Sequence, residues 1–253
     1  MDIFTAIQRN NIERVRELIK SGVDVKVKDI YNRSPLLLAV RYYAIFPIIK
    51  ELIANGADVN EHDEYFSILI RSISNRSEYV TIHELIVNGA DVNYMDAENK
   101  TALIHAIIIG NLKIIKELIA HGADVNVQDR IGNTPLIYAS HYSTLPIIKE
   151  LILHGADINV RNNWNHNALN IAEKYDRHEN AAYIKFITNM NNISNNKQTV
   201  VAFRDIYETM TGESGVHGPS RQILQNIGLV PRGAFFYGGY YNKYQKYLNK
   251  IIS

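Results

Sequence analysis

Gly122-Ala123-Asp124-Val125-Asn126 decides the fold, because the chain repeats it. It recurs as Gly56-Ala57-Asp58-Val59-Asn60, as Gly89-Ala90-Asp91-Val92-Asn93 and as Gly155-Ala156-Asp157-Ile158-Asn159, with a looser first copy at Gly22-Val23-Asp24-Val25. Successive glycines stand 34, 33, 33 and 33 residues apart. A second string keeps step with the first: Pro47-Ile48-Ile49-Lys50-Glu51-Leu52-Ile53, Lys113-Ile114-Ile115-Lys116-Glu117-Leu118-Ile119 and Pro146-Ile147-Ile148-Lys149-Glu150-Leu151-Ile152. Two strings in phase over several copies mark a structural repeat of the stacking kind.

Each unit reads as turn, helix, short loop, helix. Ser34-Pro35, Thr134-Pro135 and Asn167-Ala168 place a side-chain oxygen where it can cap a helix, and Thr101-Ala102 does the same without the proline. Pro35 and Pro135 fall at the first helical position, where a missing donor costs nothing. The Ile-Ile-x-x-Leu-Ile string makes one apolar stripe of a second helix, and the glycine after it suits the left-handed position that closes a helix. Segments such as Asp124 to Gly132 are polar, as a projecting turn should be. His121 and His154 precede closing glycines where other units have Ser21, Asn55 and Asn88, so the position reads as a polar helix end and not as a metal ligand. A lone helix pair cannot bury both stripes; stacking on neighbours does. Met1–Lys20, with Gln8, Arg9, Asn10, Arg14, Arg16 and Glu17, reads as the wetter unit that caps the stack.

The 253 residues are 46% apolar and 21% charged, which excludes wholesale disorder, and a net charge of +1 argues against nucleic-acid binding by bulk charge. There is no cysteine, hence no disulfide, thiolate metal site or thiol nucleophile. The first twenty residues are too densely charged for a signal peptide or a membrane span, so the chain reads as soluble and intracellular. Its 36 Ile and 27 Asn fit an AT-rich genome, as in intracellular bacteria and large DNA viruses.

The period, the Thr-Pro-Leu segment and the Gly-Ala-Asp-Val-Asn run resemble the ankyrin repeat. The resemblance covers residues 1 to about 190 as six units, roughly 1–29, 30–63, 64–96, 97–129, 130–162 and 163–190. It implies an all-α solenoid of helix-turn-helix units with hairpin fingers along one edge, a protein-binding scaffold without an active site. The histidine usual after Thr-Pro-Leu is absent: Leu37, Ile70, Ile104, Ile137 and Asn170 stand there, so packing should replace inter-repeat hydrogen bonds. The third unit has Ser67-Ile68 for Thr-Pro, a finger one residue short (nine steps from Asp58 to Ser67, ten from Asp124 to Thr134) and one more residue between its helices. The second unit carries the same extra residue around Tyr43–Ile45. A local distortion, and a place for a partner to dock, are expected there.

The resemblance implies that fingers and first helices line a concave binding face. The matching positions outside the framework are Tyr31 and Arg33, Tyr65 and Phe66, Glu98 and Lys100, Arg130 and Ile131, and Trp164 and His166 on the fingers. At the ends of the first helices stand Arg41 and Tyr42, Asn75 and Arg76, Ile108 and Ile109, His141 and Tyr142, and Tyr175. Tyr, Trp and Arg are the residues of interface hot spots. The opposing reading, that Ile108 and Ile109 pack inward and the tyrosines cover framework, stays open. Gly212-Glu213-Ser214-Gly215 is similar to a serine-protease run but has no matching base and β scaffold, and no phosphate loop or His-Glu-x-x-His spacing occurs. The expectation is a non-enzymatic, cytoplasmic protein, monomeric, with no cofactor, metal or small-molecule substrate. Its partner is a protein of unread identity; nucleic acid and membrane are disfavoured. In an intracellular pathogen or virus, the partner would be a host protein.

From Asn189 the pattern breaks. Asn189–Asn196 reads as a linker or exposed loop, and 191–253 as a helical C-terminal extension. Residues 191–253 hold 7 Lys/Arg against 3 Asp/Glu. Tyr240, Tyr241, Lys243, Tyr244 and Tyr247 lie on one Tyr/Lys-rich stretch. Three readings of it remain: a cap on the last unit, a module recruiting a second factor so that the whole is an adaptor, or a surface for nucleic acid or lipid.

Overall fold

The computed structural model describes residues 1–193, with side chains as far as Thr188. Met1–Tyr175 forms one compact unit, and the described part of the other, from Asp176, is a single helix. Eleven helices make up the first unit. The first helices of the successive pairs are α1 (Ile3–Gln8), α3 (Pro35–Arg41), α5 (Ile68–Ser74), α7 (Ala102–Ile108), α9 (Pro135–Tyr142) and α11 (Ala168–Lys174). The second helices are α2 (Ile12–Lys20), α4 (Phe46–Ala54), α6 (Tyr79–Val87), α8 (Leu112–Ala120) and α10 (Leu145–Leu153). Each first helix packs on the next first helix, and each second helix on the next second helix, so the unit is an all-α solenoid of two layers. Among the described residues no strand occurs, only the isolated bridge His62–Ser67.

Burial follows from composition. The inner first helices lie between two neighbours and are largely apolar: Leu36 to Val40, Ile68 to Ile70 and Ala102 to Ile104 are fully buried. The second helices bury one stripe, such as Ile114, Ile115 and Leu118 in α8, and keep the opposite face in water. Leu37, Ile70, Ile104 and Ile137 are all buried, in keeping with packing in place of the usual histidine.

Most caps form as the sequence indicates. The side chains of Ser34, Ser67, Thr134 and Asn167 accept the amides of Leu37 (3.1 Å), Ile70 (3.3 Å), Ile137 (3.3 Å) and Asn170 (3.0 Å). Thr101 departs from this: its hydroxyl caps nothing and is buried without a partner. The first-turn backbone bond of α7 does form, with the His105 amide 3.2 Å from the Thr101 carbonyl. At the other end of the pairs, Gly122 closes α8 at φ +86°, a conformation that costs glycine little. His121 and His154 act as helix ends, each ring Nδ1 lying 2.9 Å from the carbonyl four residues back, as the Asn55 and Asn88 side chains do at 2.8 Å.

A carboxamide ladder ties the repeats. Asn60, Asn93 and Asn126 each donate to the glycine carbonyl of the next repeat (Gly89, Gly122 and Gly155; 2.9, 2.9 and 3.0 Å). The same carboxamides accept the amide two residues beyond that glycine, at Asp91, Asp124 and Asp157 (2.7, 2.8 and 2.8 Å). Lys26 holds the corresponding place in the first repeat and makes neither bond.

The irregular units absorb their changes in loops. Tyr43 and Arg76 take φ of +56° in the two longer helix-to-helix loops, and α4 and α6 begin at Ile45 and Glu78 without the side-chain cap that Asn11 and Asn111 give α2 and α8. In the second unit, α12 (His178–Ile193) runs through the start of the stretch expected as a linker: Asn189 to Ile193 are helical. Asn180, Tyr183, Ile184 and Ile187 form its buried stripe, and adding residues to an existing helix costs far less than starting one. The remaining tail expectations, Tyr240, Tyr241, Lys243, Tyr244 and Tyr247 among them, lie outside the described residues.

Candidate functional site

Five fingers project before the first helices, each built on one side chain. Asp29, Asp96, Asp129 and Asn162 accept two amides of their own turn, two and four residues on (Tyr31 and Arg33, Glu98 and Lys100, Ile131 and Asn133, Trp164 and His166). Asp63, in the short finger, closes on Tyr65 and Phe66 instead, two and three residues on. The longer fingers turn through a left-handed residue, Asn32, Asn99, Gly132 or Asn165; the short one needs none. Gly132 is also sterically required, because a Cβ there would stand 2.9 Å from Asn163 Oδ1. Neighbouring fingers join through backbone bonds, Arg130 N–H to Glu98 and Asn163 N–H to Ile131, both at 3.0 Å.

The second carboxylate oxygen of each acidic finger holds a side chain. Asp29 takes Arg33 (2.8 Å), Asp63 takes Arg71, Asp96 takes His105 Nε2 (2.8 Å) and Asp129 takes the Tyr138 hydroxyl (2.6 Å). Burial pushes Asp63 up, but the amides of Tyr65 and Phe66 and the Arg71 guanidinium outweigh it and hold the carboxyl below its ordinary range. Burial, then Asp129, push the Tyr138 phenol well up, so it stays protonated. Arg71 lies over the Phe66 ring (4.7 Å), and Phe66 meets His105 edge-on at 5.6 Å. His105 Nδ1 lies 3.3 Å from Ser74 Oγ.

The residues singled out from sequence divide into two kinds. Tyr31 (69% exposed), Tyr65 (61%), Trp164 (60%) and Tyr142 (50%) present their rings to solvent, and Arg41, Tyr42, Glu98, Arg76, Ile108, Arg130, Ile131 and Tyr175 are also exposed. Arg33, Phe66, Lys100, Ile109, His141, Asn75 and His166 are half-buried. Arg33 is tied to Asp29 and Phe66 to Arg71, so both belong partly to the finger framework. The structure brings one group together: His141 stacks on Tyr175 (3.8 Å) and against Tyr142 (4.1 Å), and Tyr138 stacks on Tyr142 at 6.3 Å. Tyr31 and Trp164, by contrast, stand on the first and last fingers. Sequence reasoning missed Asp63, Arg71, Ser74, Asp96, His105, Asp129 and Tyr138. The available signal was an acidic residue at the three middle fingers, Asp63, Asp96 and Asp129, with a polar one eight or nine places later, in the first helix.

The family model for ankyrin repeats (3 copies) matches residues 69–162. Solved structures agree in fold. Residues 69–162 are ankyrin repeats. One chain of the complex between a predatory endopeptidase of Bdellovibrio bacteriovorus and its immunity protein superposes with a TM-score of 0.64 at 24% identity, covering 72% of this chain and 95% of that chain. An ankyrin repeat domain of Acinetobacter baumannii gives 0.67 at 23% identity, over 72% and 95%. The ankyrin repeat domain of Bcl-3, of the IkappaB protein family, gives 0.60 at 25%, over 67% and 76%. No curated protein matches the sequence. Among the described residues, no helix is long and apolar enough to cross a membrane, and no cluster of three or more His, Asp or Glu could hold a metal ion.

Proposed function

We propose that this protein is a scaffold that binds a protein partner through its fingers and the ends of its first helices. Ankyrin repeats generally mediate protein–protein interaction. The observation that carries the reading here is the stacked group of His141, Tyr142 and Tyr175, with both tyrosine rings partly exposed, on a unit that also exposes Trp164 and Ile108. Half-exposed rings pinned by their neighbours lose little side-chain entropy when a partner covers them, which is the physics of an interface anchor. Capture of one partner needs no cofactor and no second copy of the chain. The Ile/Asn bias supports an intracellular pathogen or virus as the source, with a host cytoplasmic protein as the partner.

The test is affinity capture from host-cell lysate with the full chain as bait, followed by titration of the captured protein against Tyr142→Ala and Trp164→Ala. An anchor should lose about 2 kcal/mol of binding or more, roughly thirtyfold in Kd, with the melting curve unchanged. Equal affinity of both variants for the captured protein would end the proposal.

A further inference from the structure

We propose that Ser74 is a nucleophilic serine, activated by His105 and oriented through Asp96, that accepts acyl groups from activated carboxylic esters. The three residues come from three elements. Ser74 ends α5, His105 lies in α7 of the next repeat, and Asp96 opens the finger before α7. Ser74 Oγ stands 3.3 Å from His105 Nδ1, and His105 Nε2 stands 2.8 Å from Asp96 Oδ2.

The direction of each proton follows from the partners. Asp96 is fixed: its Oδ1 takes the amides of Glu98 (2.8 Å) and Lys100 (2.9 Å), and its side chain is only 5% exposed. A carboxylate oxygen can only accept, so Nε2 carries the ring proton of the neutral imidazole and Nδ1 faces Ser74 as a lone pair. The Ser74 hydroxyl therefore donates to a base whose tautomer is set from behind, the logic of a Ser-His-Asp relay with the two ring nitrogens exchanged. Ser74 is exposed, His105 is mostly covered and Asp96 is buried, the order in which a nucleophile, a base and an orienting group need to meet solvent. Phe66 meets the imidazole edge-on, and Arg71, one turn before Ser74 on α5, lies over the Phe66 ring.

The step balances without a further reagent. Ser74 Oγ attacks the ester carbonyl carbon as its proton passes to His105 Nδ1. The tetrahedral alkoxide collapses, the bond to the leaving oxygen breaks, and the imidazolium returns the proton to that oxygen, leaving acyl-Ser74 and an alcohol. Water, deprotonated by His105, then releases the carboxylic acid and restores Ser74. The amides that follow Ser74 are used by the helix end, Asn75 N–H to the Arg71 carbonyl and Arg76 N–H to Ile73, both at 2.9 Å. They offer no oxyanion site, so the acceleration is that of a positioned base alone, about 100- to 10,000-fold.

The experiment treats the full chain with p-nitrophenyl acetate, follows p-nitrophenolate release and maps the acetyl group by peptide mass. The expected result is acetylation at Ser74, at a rate that depends on the His105 ring. The charged groups around His105 are Asp96 and, beyond Phe66, Arg71 with its partner Asp63. Ser74→Ala should remove the adduct, and His105→Gln should slow it about 100-fold. Asp96→Asn, a positioning variant, should slow it and move the pH profile. Ser74→Ala changes an exposed side chain, so a folding failure in the other two variants leaves that comparison in force. Acetyl groups on lysines with Ser74 unmodified, or Ser74 acetylation at full rate in a folded His105→Gln protein, would overturn the proposal.

Discussion

Asn93 is bonded to Gly122 in the next repeat: its carboxamide donates to the glycine carbonyl at 2.9 Å while its oxygen takes the Asp124 amide at 2.8 Å. One side chain thus satisfies two backbone groups at a helix end that α8 leaves open. Asn93→Ala should destabilise the protein by about 1–3 kcal/mol, two modest hydrogen bonds and an unpaired carbonyl at a wet surface. Asn159→Ala, at an exposed copy of the same position, should change stability by less than about 0.5 kcal/mol. Chemical denaturation of both variants checks the pair.

Thr101 and Thr134 should answer oppositely to valine. Thr134 gives a cap to Ile137, so Thr134→Val should cost about 1 kcal/mol. The buried Thr101 hydroxyl has no partner, so Thr101→Val keeps the shape, removes a desolvated oxygen and should leave stability unchanged or raised. A higher denaturation midpoint for Thr134→Val than for Thr101→Val contradicts the assignment.

Acid should weaken the hold of Asp63 and of Glu117. Asp63 sits below its ordinary value of 3.8. Glu117 sits below 4.5, held there by the hydrogen bond from His83 and, against burial, by that from Tyr79. A carboxyl lowered by folding binds its proton more weakly in the folded chain, so the unfolded chain takes up more protons and stability rises with pH. The contribution is complete above those ordinary values and is lost as the pH falls through the lower folded ones. Asp63→Asn should flatten the stability curve below about pH 4 and cost about 1–3 kcal/mol at neutral pH, read from denaturation midpoints across the range.

Ile108 bears on the binding face without touching the aromatic group. It is about one-third exposed at the end of α7, so Ile108→Asp should fold with a melting temperature near that of the parent. Partner capture should fall at least tenfold, if the face is used as proposed. Retained capture would move the interface elsewhere.

Much of this was legible because the glycine period acts as a ruler. Once Gly56, Gly89, Gly122 and Gly155 are aligned, the helix pairs, most caps and the exposed rows follow from local chemistry. Three things were hidden. The Thr101 hydroxyl leaves its helix uncapped, although a threonine at that place announces a cap. The helix through Asn189 to Ile193 runs on from a buried stripe, although asparagine by itself argues for a loop. The contact between Ser74 and His105 depends on how two repeats sit in register, and residues 31 apart on two different helices share no periodic face. The finger carboxylates were visible as a column, but their helix partners differ in type from Arg71 to His105 to Tyr138, so no string repeats.

Lys26 gives the solenoid a direction of failure. With asparagine at the next three copies and lysine at the first, the α1–α2 pair lacks a clasp that every following junction among Asn60, Asn93 and Asn126 possesses. Thermal opening should begin at the amino-terminal edge and travel inward like a zip. Amide protons of α2 should therefore exchange with deuterium sooner than those of α6 and α8, and Lys26→Asn should slow that exchange at the edge alone.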